Sequence, residues 1–103
     1  MIRIQSAIAA AAAAFAMSAP SQAQEFTFDY EAWMLSSAQG RTMVLDRLER
    51  RVDNYCHVRE ARGALQVRIA TDCKTRVLER AIEQIGDPRI TALHQSREQS
   101  RRA

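Results

Sequence analysis

A mainly α fold follows from three features of the sequence: a small disulfide-clamped helical hairpin, preceded by an N-terminal extended or β segment. Two long runs repeat apolar residues every four positions, the spacing of an amphipathic helix. One short stretch, EFTFDY, alternates apolar and polar residues with the period of a half-buried strand. The two cysteines of the chain fall one on each helical stripe, behind a start that has the form of an export leader.

The leader comes first. Arg3 and the free amino terminus are followed by an unbroken apolar run over residues 7–17, then by the helix breaker Pro20. Ser21 and Ala23 place small residues at the third and first positions before a cut, so cleavage is expected between Ala23 and Gln24. The apolar run is much shorter than the roughly 20 residues that cross a bilayer, so a stable membrane span is not expected after its removal. No cysteine follows the cut and no twin arginine precedes it, which points to general export into the periplasm or beyond. Residues 1–23 are thus expected to be a cleaved signal peptide. Residues 24–88 form one helical-hairpin domain, and residues 89–103 form a polar, flexible tail.

In the strand segment, Phe26, Phe28 and Tyr30 alternate with Thr27 and Asp29. A lone strand leaves its backbone groups unpaired, so it needs a neighbour. Three arrangements would supply one. It can lie across the hairpin, recruit QVRI at residues 66–69, or meet its own copy in a homodimer through residues 25–35. Dimerisation or pairing with a partner is favoured, because Trp33 and Met34 add apolar surface that so small a chain covers poorly.

Helix one is expected from about Ala38, where Ser36 and Gln39 have the spacing of a capping box. Val44, Leu48, Val52 and Cys56 form its stripe, widened by Leu45 and Tyr55, and Gly40 in the first turn would allow a close approach by the strand. Gly63 is the best turn candidate between the helices. Leu65, Ile69, Cys73, Val77, Ala81 and Ile85 make the second stripe, flanked by Ala70, Leu78 and Ile82. Gly86 stands at a C-cap and Pro88 forbids continuation.

Two cysteines on facing apolar stripes in an oxidising compartment argue for a Cys56–Cys73 disulfide. It would contribute about 3 kcal/mol by the chain-entropy argument. That matters in a chain too small to bury a large core. Geometry imposes a condition, since bridged Cα atoms lie within about 7 Å. If helix two begins near Ala64, Cys73 lies roughly 13 Å along its axis. Helix two must then either start later, near residues 69–71, or overshoot the end of helix one. The overshoot is favoured, because the stripe already runs from Leu65.

The net charge is +3, of which the leader carries only Arg3, and Lys74 is the single lysine. Acids interleave with the arginines, as in Asp46–Arg50 and Asp72–Arg76 at i,i+4, so a mixed, solvated helical surface is expected rather than a nucleic-acid face. Cys56, His57, Cys73 and His94 are the soft metal-ligand candidates, but their spacing fits no zinc pattern. There is no Cys-x-x-Cys and no hydrolase signature. No catalytic residue, metal or cofactor is expected.

The stretch YEAWMLSSAQGRTMVLDRLERRVDNYC resembles the conserved block of the UrcA family, small exported proteins of alphaproteobacteria and their relatives. Tyr30, Leu35, Gly40, Arg47, Leu48 and Cys56 fall in register, and Cys73 matches the second family cysteine, followed by Val77, Ala81 and Ile82. The family's Asp and first Leu are Ala32 and Trp33 here. The resemblance spans residues 26–85 and implies export, small size and paired cysteines, but no activity.

The expected role is that of a non-enzymatic binding or envelope-associated structural protein. Its partner would be a protein or envelope component, not nucleic acid. The alternatives are a redox or thiol-dependent protein using Cys56, His57 and Cys73, and an anion-binding module presenting Arg47, Arg50, Arg51 and Arg59.

Overall fold

The computed structural model describes residues 2–7 and 25–102. The expected cut between Ala23 and Gln24, and the leader's apolar run beyond Ala7, lie outside the described residues. Among these the order is β1 (Ile2–Ala7), β2 (Glu25–Tyr30), a 3-10 turn (Ala32–Ser36), α1 (Ala38–Tyr55), a 3-10 turn (Val58–Glu60), α2 (Gly63–Ile85) and α3 (Pro88–Arg102). The mainly α fold with an extended N-terminal segment is as expected.

The strand segment does have a neighbour, and it comes from the start of the chain. β1 pairs antiparallel with β2, Ile2 opposite Tyr30, Ile4 opposite Phe28 and Ser6 opposite Phe26. Residues 66–69 are not its partner, because they lie within α2. β1 packs against α2 and β2 against α1, so this small sheet roofs the hairpin. Ile4, Phe26, Phe28 and Tyr30 join Val44, Leu45, Leu48, Val52, Val77, Leu78, Ala81 and Ile82 in one core. Phe26 meets Tyr55 edge-on, with ring centroids 5.4 Å apart.

Ser37, not Ser36, caps α1: its side chain accepts from the Gly40 N–H at 3.0 Å. The Ser36 hydroxyl donates instead to the Trp33 carbonyl at 2.7 Å, closing the preceding turn. Gly40 does permit a close approach, but the visitor is the Met34 carbonyl, into which any Cβ would run. Met34 is buried while Trp33 is largely exposed. The α1 stripe is buried as its spacing predicts, with Val44, Leu45, Leu48 and Val52 wholly enclosed.

Cys56 and Cys73 are joined, with Cα atoms 5.8 Å apart. The overshoot is how the chain meets that distance. α1 ends at Tyr55, and α2 starts at Gly63, so its first turns project beyond the last turn of α1. There the Gln66 side chain accepts from the Arg62 N–H at 2.8 Å, supplying an N-terminal cap. Leu65 and Ile69 are therefore not core residues. They are 70% and 59% exposed, because α1 ends at Tyr55 and does not run alongside these first turns. At the other end Gly86 takes the left-handed conformation at φ 70° and donates to the Ile82 carbonyl.

The expected flexible tail is a helix. Asp87 starts α3: its carboxylate accepts from the Arg89 N–H at 2.8 Å, and Pro88 stands at the first helical position, where its missing N–H costs nothing. Hydrogen bonding from the Arg89 side chain holds the Asp87 carboxyl below the usual carboxylate range. Ile90 is wholly buried and Leu93 packs on the same core. Those two contacts anchor a segment whose polarity alone suggested a free end.

Candidate anion-binding groove

The chemistry of α1 depends on how its charges divide around the helix. Asp46, Glu49 and Asp53 share one flank at i, i+3 and i+7, and Arg47, Arg50, Arg51 and Asn54 share the next. In sequence the two sets interleave. In the fold they separate, because the neighbouring helices take the acids. Arg97 of α3 lies 2.8 Å from Asp46 and 3.4 Å from Glu49. Arg101 is 3.4 Å from Glu49, and Lys74 of α2 is 2.9 Å from Asp53. These ions are partly buried, so their contacts are screened less than surface pairs. The expected Asp46–Arg50 and Asp72–Arg76 pairs do not form.

The arginines are left facing outward. Arg47, Arg50, Arg51 and Arg59, the four nominated from sequence, line one shallow groove of about 440 Å³. α1 supplies the first three and the 3-10 turn after it brings Arg59 round to the same side. The far wall is β2, through Thr27, Phe28 and Asp29. Arg51 ties the two walls together by donating to the Thr27 carbonyl at 2.9 Å. Among the described residues no acid meets Arg47, Arg50 or Arg59. The one acid in the wall, Asp29, is turned to Arg3 of β1 at 3.7 Å.

Such a groove can hold an anion. Each guanidinium is planar, permanently charged and able to bond an oxyanion with two parallel N–H donors. Several converging on one concavity raise the local potential well above that of one exposed arginine. The Thr27–Asp29 wall and Asn54 were not nominated from sequence. Neither was the neutralisation of the acids by α3. The signals for that helix were present in Asp87–Pro88 and in the i,i+4 spacing of Arg97 and Arg101.

The cysteine region offers less chemistry. No cysteine is free, Cys56 is buried and Cys73 half-buried. His57 takes a left-handed backbone at φ 56° and points its Nδ1 toward Glu60 at 3.9 Å across an exposed turn. His94 lies instead in a groove between α2 and α3. Among the described residues no three His, Cys, Asp or Glu side chains converge as metal ligands. Nor is any described helix long and apolar enough to cross a membrane. The disulfide fits an oxidising compartment.

No protein family, curated protein or solved structure matches the chain.

Proposed function

We propose that this chain is an exported, disulfide-clamped and non-enzymatic binding protein of the cell envelope, and that its arginine groove holds an anionic group of its partner. One observation carries the reading: the acids of α1 are engaged by Arg97, Arg101 and Lys74, while Arg47, Arg50 and Arg59 form no ion pair among the described residues and gather around a groove whose one lining acid is Asp29, left without Arg3 once the leader is cleaved. The leader-like start, the disulfide and the resemblance to the UrcA family support the envelope as its place of work. Phosphate and carboxylate groups are the chemistry that such forks recognise.

Titration of periplasm-derived protein with tripolyphosphate tests this. Binding should weaken steeply as salt rises, since exposed charges are screened over about 8 Å at physiological ionic strength. Arg47→Gln with Arg50→Gln should reduce affinity about tenfold or more, at the scale of about 1.5–3 kcal/mol for hydrogen bonds to charged groups, while the thermal midpoint stays in place. Arg68→Gln with Arg76→Gln removes the same charge from exposed positions of α2 and should change little. Equal losses in both double variants would mean that net charge, not the groove, does the binding. Duplex DNA should not bind below micromolar concentration at physiological salt, because too few phosphates can be neutralised at once.

A further inference from the structure

β1 is a strand inserted between the edge of β2 and the flank of α2, and the export reading above removes it. Ile4 is buried against the core, opposite Phe28, and Ile2 stands opposite Tyr30. On the outer face Arg3 lies against Asp29. Cleavage after Ala23 takes all of these away together. It uncovers a strip of Phe28 and Tyr30, the face of α2 that packed on β1, and a row of β2 backbone donors and acceptors with no partner. The opposite side of β2 differs, since there Arg51 of α1 already bonds the Thr27 carbonyl.

We propose that the position vacated by Ile2–Ala7 is an acceptor site for an extended segment of a partner protein, which adds to β2 as an antiparallel strand. The proposal rests on the export reading. β1 itself shows what fits: apolar residues opposite Tyr30 and Phe28, a small residue opposite Phe26, and a base opposite Asp29. In strand addition the backbone ladder supplies affinity and the alternate side chains supply specificity. A second copy of the chain fits less well. Its β2 would arrive already roofing its own α1, yet the site is overhung by α2. In the two-fold register with Phe28 opposite Phe28, Asp29 would face Thr27 and find no base. The occupant is therefore a bare strand reading apolar, basic, apolar, polar, small.

The test uses protein recovered from the periplasm, with intact mass showing a start at Gln24, and the synthetic hexapeptide Ile-Arg-Ile-Gln-Ser-Ala as probe. Saturable one-to-one binding is expected, with a raised thermal midpoint and slowed amide exchange at Phe26, Phe28 and Tyr30. Replacing the peptide's second isoleucine by aspartate should abolish binding. Replacing its arginine by glutamate should weaken it about tenfold, and Asp29→Arg in the protein should reverse that preference. Arg47→Gln with Arg50→Gln should leave peptide binding intact, which separates this site from the arginine groove. Failure to bind at millimolar peptide, or indifference to the charge swap, overturns the proposal. So does a protein that sediments as a dimer and excludes the peptide, because the occupant is then a second copy. An intact mass retaining residues 1–23 overturns it by a different signature, showing that the strand is never vacated.

Discussion

The two ends of α2 carry the same four-residue apolar spacing and meet opposite fates. Toward its C terminus Val77, Leu78, Ala81 and Ile82 are buried; toward its N terminus Leu65, Val67 and Ile69 stand in solvent. The disulfide at Cys73 marks the border. Beyond it α2 lies along α1 and under the sheet, and before it α1 has already ended. Periodicity therefore tells which face of a helix is apolar, but not how far a neighbour extends to cover it. The overhang is the cost of joining the last turn of one helix to the middle of the next.

The sharpest way to break this comparison is to truncate one leucine at each end. Leu78→Ala should destabilise by about 2–5 kcal/mol, as enclosed leucines do, and denaturant midpoints at unchanged slope would show it. If Leu65→Ala cost as much, the overhang would be packed against something in solution. Removing the border itself comes next. Cys56→Ser with Cys73→Ser should cost about 3 kcal/mol, and protein taken from the periplasm should show no free thiol under denaturant. Two titratable thiols in the folded protein would refute the clamp. The smallest effect is expected from Leu65→Ser with Ile69→Ser, within about 0.5 kcal/mol of the parent, as for surface changes generally. Light scattering should then show less self-association, since these side chains contribute to an exposed apolar patch.

Much of this architecture was legible because it is local. The α1 stripe, the Gly86 cap and the cysteine pairing each follow from spacing and compartment. Two elements were missed although their signals were present. Ile2 and Ile4 alternate with Arg3 and Gln5 as a strand should, but the same residues also read as the start of a leader. Asp87–Pro88 has the form of a helix N terminus, but Pro88 equally marks the stop of α2. The segment behind it buries so little that its polarity dominated. The four groove arginines could be nominated from sequence, yet their freedom from acids could not. That freedom depends on Arg97 and Arg101 reaching α1 from roughly fifty positions away, and no local pattern carries such a contact.

One consequence belongs to α3. By holding Asp46 and Glu49, it acts as a counter-charge that keeps the neighbouring flank of α1 electropositive without touching it. Clipping the chain near Gly86 would release both carboxylates, with Asp46 one helical turn from Arg50, and the groove's field would weaken while every residue lining it remained. The C-terminal helix thus helps set the polarity of a surface that it does not itself line. A terminal trim would weaken that surface without altering any residue that lines it.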